Sequence, residues 1–177
     1  ADTLRRYFAA PPVWSPELRA EPAFSNRAPT QASVLVPLVM RDTLTVLLTH
    51  RTSHLSSHSG PVAFPGGKAD PEDTDAVATA LREAQEEIGL SAAHVEVLGT
   101  MPTYTTGSAF VVTPVVALVD AAMVIEANPH EVAQVFEVPL PFLMDPANHR
   151  RHRVQWEGQE REWLSMPYHD GQMEHFI

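Results

Sequence analysis

The segment from Asp75 to Ile88 constrains this chain more than any other. Val77, Leu81, Ala84 and Ile88 recur at spacings of four, three and four, which places one apolar stripe along a 3.6-residue helix. Asp73, Thr74 or Asp75 can cap its first turn, and Gly89 stands where a left-handed residue ends a helix. Such a stripe needs an apolar surface to cover it. The flanking sequence supplies β-rich runs: Ser33–Met40 and Thr43–His50 as a hairpin around Arg41–Asp42, a short run at Val62–Phe64, then Val95–Tyr104, Phe110–Val119 and Ala133–Val138. Asp2–Ala9 reads as a short helix and Pro139–Met144 as a helical turn. Arg151–Trp156 and Arg161–Ser165 read as a hairpin over Glu157-Gly158-Gln159. Strands on both sides of one central helix predict a mixed α/β (α+β) domain.

At 177 residues the chain fits one domain with a single substantial core. Sixteen prolines break it into short elements, with no internal repeat or low-complexity tract. The proline-punctuated connector from Pro11 to Pro29 makes residues 1–30 an N-terminal extension that is expected to lie over the main body.

Charge and composition exclude several classes. With 22 acidic and 12 basic side chains the formal charge is −10, which repels nucleic acid and anionic membrane surfaces. A polyanionic substrate therefore needs a metal bridge or a local basic patch. The absence of cysteine removes disulfides, thiolate metal sites and a cysteine nucleophile together, and fits a reducing cytoplasm. Val34–Met40 and Phe110–Val119 are too short and interrupted to span a bilayer, and Ala1–Ala10 lacks the order of a signal peptide. A cytoplasmic protein acting on a small molecule is expected, with no nucleic acid or membrane partner; the oligomeric state, a homodimer included, stays open.

Glu83, Glu86 and Glu87 occupy neighbouring positions of one helix face, opposite the apolar stripe. Like charges at that spacing repel unless a divalent cation draws them together, and oxygen-only ligands suit Mg²⁺ or Mn²⁺. An ordinary solvated acidic face has the same pattern. Ahead of the helix, Phe64-Pro65-Gly66-Gly67 reads as a side-chain-poor turn whose backbone can approach a ligand or lend a carbonyl to a metal.

Arg82-Glu83-Ala84-Gln85-Glu86-Glu87-Ile88-Gly89-Leu90 matches the REUxEExGU end of the Nudix box at every specified position. On these residues the chain resembles the Nudix hydrolase superfamily. The front of the box departs from the general pattern: the spacing from Gly67 to Arg82 is one residue longer, and Thr74 stands where the pattern has Glu, leaving Asp73 or Glu72 to take that role. The departure is similar to the coenzyme A diphosphatase branch, where Gly-Gly-Lys-x-Asp-x-x-Asp, here Gly66–Asp73, opens the box. Leu47–Leu55 followed by His58–Gly67 is similar to the extra motif lying upstream of the box in that branch. The likeness runs from Val46 to Leu90, and more loosely through Phe110–Val119 and Glu131–Leu140. Members of the branch usually continue past a point like Ile177 into a C-terminal helix.

The resemblance implies a Nudix fold, a mixed sheet sandwiched between helices. It also implies Mg²⁺- or Mn²⁺-dependent hydrolysis of the diphosphate of coenzyme A or its thioesters to 3′,5′-ADP and 4′-phosphopantetheine. A diphosphatase for ADP-ribose or a dinucleotide, and a non-catalytic binding module, are the other readings. Glu83 and Glu87 are the first metal candidates, with Glu86 and Gly67 beside them, and Arg82 orients the carboxylates. Glu131, in Asn128-Pro129-His130-Glu131, is the later-loop candidate for general base. Arg51, Ser53, His54, His58, Gly66 and Gly67 are the substrate-binding candidates.

Overall fold

The computed structural model describes residues 1–16, 20, 21, 23, 25–52, 60–156 and 159–177, with the backbone alone at 156 and 159–161. Its elements are α1 (Asp2–Ala9), β1 (Thr30–Val39), β2 (Thr45–Arg51), β3 (Val62–Ala63), β4 (Gly66–Lys68), α2 (Ala76–Ile88), β5 (Val95–Thr100), β6 (Tyr104–Thr105), β7 (Phe110–Val119), β8 (Val132–Pro139), α3 (Leu140–Met144), β9 (Arg150–Trp156), β10 (Gln159–Ser165), β11 (Pro167–His169) and β12 (Glu174–Phe176).

Strands β1 to β8 form one mixed sheet. Its centre is a parallel ladder between β1 and β7, in register from Thr30↔Phe110 to Val39↔Val119. β8 lies antiparallel on β2 from Thr45↔Pro139 onward, and β5 lies antiparallel on β7. The expected hairpin between the first two long strands is only partly realised. β1 and β2 pair at Leu38↔Val46 and Val39↔Thr45, then fork. The segment Val62–Lys68 fills the fork: β3 pairs with β2 through Thr49↔Ala63, and β4 pairs with β1 through Ser33↔Gly67. Leu35 N–H donates to the Pro65 carbonyl at 2.8 Å between them. The predicted Gly66–Gly67 turn is therefore a short strand.

Alternation along the central strands buries both faces of the sheet, as covering on both sides requires. Leu35, Leu47, Val115, Ala117 and Val119 face α2 and pack with Ala80, Ala84 and Ile88. Leu38, Leu48, Val116, Leu118, Phe136 and Val138 face the other way, under Leu4 and Phe8 of α1, Leu140 and Phe142 of α3, and Tyr168 of β11. This is the predicted sandwich. Two hairpins, β9–β10 and β11–β12, form separate two-stranded sheets. Among the described residues no helix is long and apolar enough to cross a membrane.

Candidate active site

Helix α2 begins where the sequence indicated. Asp75 is extended at the N-cap and accepts from Ala78 N–H at 2.8 Å, an interaction worth about 1 kcal/mol. It ends at Gly89, left-handed at φ 68°, whose N–H donates to the Gln85 carbonyl at 3.0 Å. Its buried side differs from the predicted stripe. Thr79, Ala80, Ala84, Glu87 and Ile88 are buried, whereas Val77 and Leu81 are partly covered. Glu87 is thus not opposite the apolar stripe but at its border, 2% exposed, because small Ala80 and Ala84 let the helix sit close to β1 and β4.

Burial of Glu87 is compensated. Gly66 N–H donates to Oε2 at 3.1 Å, and Arg51 Nη1 donates to Oε1 at 3.1 Å. Glu83, one turn earlier, lies against the other glycine: a Cβ at Gly67 would sit 2.5 Å from the Glu83 Cδ and Oε1. Only a residue without a side chain lets the strand backbone come this close to the carboxylate. A Cβ on Gly66 would instead meet the Ser33 carbonyl and Val34 Cα, so the first glycine fits strand to strand and the second fits strand to acid.

Arg82 gathers the remaining acids. It makes a two-pronged contact with Asp73, Nε to Oδ1 at 3.0 Å and Nη2 to Oδ2 at 2.9 Å. It also donates to the Lys68 carbonyl at 3.0 Å, Glu83 at 3.1 Å and Glu86 at 3.0 Å. Of the two residues left open for the front of the box, Asp73 is the one that holds Arg82. It also accepts from the Asp70 N–H and the Thr79 hydroxyl. The Arg82 contact, with these donors, holds the Asp73 carboxyl below the usual carboxylate range. Glu86 is exposed and turned to Arg82.

The two inner acids are shifted the other way. Burial raises the Glu83 carboxyl, opposed by Arg82 and reinforced by the charges of Glu86 and Glu131. Burial raises Glu87 as well, opposed by Gly66 N–H and Arg51 and reinforced by Glu83 and Glu131. Glu131 is therefore within electrostatic range of both inner acids. Its loop is anchored to the end of the helix by Asn128 N–H, which donates to the Glu87 carbonyl at 2.8 Å, and it meets β2 where Thr52 N–H donates to the Glu131 carbonyl at 2.8 Å. The Asn128 anchor was not read from the sequence, because a backbone N–H makes it; the asparagine side chain instead accepts from His130 N–H at 3.1 Å.

Glu83, Glu87, Gly66, Gly67, Arg82, Arg51 and Glu131 thus come together at the fork of the sheet. Ser53, His54 and His58 lie outside the described residues. Among the described residues no three acidic or imidazole side chains converge closely enough to enclose a cation as they stand. The donor chemistry nevertheless fits a hard divalent cation: two inner carboxylates, shifted upward by burial and mutual repulsion, beside a glycine backbone.

A mixed sheet between helices, with this acidic helix docked on a Gly-Gly strand, defines the class. The NUDIX domain profile matches residues 29–165, and the chain belongs to the Nudix hydrolase family. It is 50% identical over 109 residues to a protein of Yersinia enterocolitica named Nudix hydrolase NudL and described as uncharacterized; the match covers 62% of this chain and 56% of that one. The protein of that name from Yersinia pestis is 43% identical over 136 residues, covering 76% of this chain and 68% of the relative. The chain thus spans little more than half to two thirds of these relatives. Among solved structures, a Caenorhabditis elegans Ap4A hydrolase binary complex superposes with a TM-score of 0.54 at 18% identity, covering 62% of this chain and 80% of that one. A MutT/nudix family protein from Enterococcus faecalis gives 0.52 at 18% identity, covering 99% of this chain and 62% of the other. These two likenesses concern the fold.

Proposed function

We propose that this protein hydrolyses the diphosphate linkage of coenzyme A or its thioesters, releasing 3′,5′-ADP and 4′-phosphopantetheine or its acyl derivative. The observation that carries the reading is the joining of the two sequence motifs at one place: Arg51, from the upstream motif, donates to Glu87, from the box. A cation beside the inner acids is where a phosphate-rich substrate needs one in a chain of charge −10.

Glu83 and Glu87 would hold Mg²⁺ or Mn²⁺, with the Gly67 backbone alongside and Glu86 at the rim. When bound, the cation supplies charge neutralisation for the diphosphate and aligns the attacking water. The chain's own residues do the rest. Arg82, fixed by Asp73, holds Glu83 in place. Glu131, on its anchored loop, would accept a proton from water. Arg51 is half-exposed, so one side of its guanidinium stays open to a substrate phosphate while the other meets Glu87. Cytoplasmic residence follows from the substrate class.

The test is product analysis by mass after incubation with Mg²⁺ and a panel of coenzyme A, ADP-ribose and dinucleotides. Cleavage of coenzyme A to the two named products at the highest kcat/KM supports the reading. Faster cleavage of ADP-ribose or a dinucleotide replaces the substrate and keeps the diphosphate chemistry, and no cleavage of any member indicates a binding module.

A further inference from the structure

Away from the acids, two imidazoles and a carboxylate form a chain through the interior. His50 Nδ1 lies 3.1 Å from the Gly60 carbonyl, His50 Nε2 lies 2.9 Å from His175 Nδ1, and His175 Nε2 lies 2.8 Å from Asp170 Oδ2. His175 is 0% and His50 is 4% exposed. The rings of His175 and Phe136 stack at 3.8 Å, and Tyr168 lies beyond His175.

Proton counting decides the state of this chain. A carbonyl oxygen only accepts, so His50 Nδ1 must carry hydrogen. An ionised carboxylate also only accepts, so His175 Nε2 must carry hydrogen as well. The contact between the two rings needs a third hydrogen, placed between His50 Nε2 and His175 Nδ1. Two neutral imidazoles bring two hydrogens, one short of the three contacts. Asp170 is not the source of the third: its Oδ1 already accepts from Gln172 N–H at 2.8 Å and Met173 N–H at 2.9 Å, donors that favour the ionised form. Leaving one contact unmade would strand a buried ring nitrogen without a partner, which is costly in the interior.

We infer that the His50–His175 pair holds one extra proton, making a buried imidazolium balanced by Asp170, and that this pair is a positioning device for the active site. Among the described residues, the titratable and charged groups facing it are Asp170 and Tyr168; Arg51, next along β2, is turned to Glu87. The device ties β12 to the end of β2. On one side of His50 is Arg51, which reaches Glu87, and on the other the Gly60 carbonyl, at the foot of the segment leading to Gly66. Arg51 N–H also donates to the Pro61 carbonyl at 3.2 Å, and Gly60 is packed on the Arg51 carbonyl with no room for a Cβ. The C-terminal hairpin therefore sets the place of a residue at the fork without entering the site.

Asp170→Asn provides the test, because an amide N–H can donate to His175 Nε2. All three contacts are then satisfied by two neutral rings. Nitrogen-15 NMR of the histidine rings at pH 7 should show three of the four nitrogens of His50 and His175 protonated in the parent chain, and two of four in Asp170→Asn. Two of four in the parent overturns the inference. The positioning arm rests on the proposed function and uses coenzyme A hydrolysis with Mg²⁺. Asp170→Asn, which keeps the chain of contacts, should stay within about twofold of the parent, whereas His175→Phe, which keeps the stacking on Phe136 and breaks the chain, should lose about tenfold in kcat/KM. A folded His175→Phe with full activity overturns the positioning role. If His175→Phe does not fold, a loss of activity in Asp170→Asn beyond tenfold overturns it instead. A parent that leaves coenzyme A intact points to failure of the substrate reading alone, since the proton count is read by NMR.

Discussion

Gly67→Ala separates chemistry from folding at one atom. The added methyl would stand 2.5 Å from Glu83 Cδ and Oε1 and 2.6 Å from Oε2, where ordinary contact begins near 3.4 Å. The neighbour is the far end of a flexible side chain, so the carboxylate can yield, and it must move by about 1 Å. A displacement of that size in a reacting group costs about 10²-fold in rate, or about 2.7 kcal/mol of barrier. Gly66→Ala is the comparator: its methyl meets the Ser33 carbonyl and Val34 Cα, backbone that cannot yield without pulling β4 from β1. Steady-state kinetics with Mg²⁺ should therefore show kcat about 10²-fold lower for Gly67→Ala with its melting temperature nearly unchanged. Gly66→Ala should lose the fold before it reveals anything about rate. A Gly67→Ala protein within about threefold of the parent kcat, with Mg²⁺ saturating, would remove Glu83 from the reacting geometry.

Glu83→Gln and Glu87→Gln should each reduce turnover by several orders of magnitude while circular dichroism stays native, and activity within about tenfold for both would take them out of the catalytic set. Ile88→Ala, at a fully buried position against β1 and β7, should cost about 2–5 kcal/mol in urea unfolding; a loss below about 1 kcal/mol would contradict the packing. Asp73 has its folded-state pKa depressed by Arg82, so its contribution is present above the ordinary carboxylate range near 3.9 and disappears as pH falls through the lower folded value. Asp73→Asn should accordingly melt earlier than the parent at pH 7, by a gap that holds down to about pH 5 and begins to narrow below about pH 4; a gap unchanged between about pH 7 and pH 3 would assign the effect to packing. Arg51→Ala should impair hydrolysis of coenzyme A more than of its 3′-dephospho form, and equal losses would make Arg51 a support for Glu87 or a general diphosphate contact.

Local signals were the legible part of this chain. α1 spans the predicted residues, β7 runs from Phe110 to Val119 as read, and α2 carries its cap at Asp75 and its left-handed stop at Gly89. What the alternation did not reveal is which strands become neighbours: the parallel pairing of β1 with β7, and the insertion of β3 and β4 between β1 and β2, depend on tertiary fit. β4 has three residues, two of them glycine, and so offers no strand signal at all. Periodicity misjudged Glu87 because it weighs large apolar side chains. The helix is seated on Ala80 and Ala84, whose smallness lets an acid beside them be covered. The short β11–β12 pair and its buried His175 gave no periodic cue, since three-residue strands lie below the length at which alternation is readable.

The parallel ladder has a further consequence, for the order in which the molecule can be made. Thr30 pairs with Phe110 and Val39 with Val119, so the centre of the sheet joins residues 80 positions apart, and β2 finds β8 across a comparable stretch. Closing such loops must precede the contacts that reward it, which places folding of this topology on the slow side, in milliseconds to seconds. The helix with its acids leaves a ribosome well before β7 and β8 do. During synthesis Glu83 and Glu87 are therefore hydrated side chains of an isolated, capped segment, and their burial, with the upward shift it brings, arrives only with the last strands of the sheet.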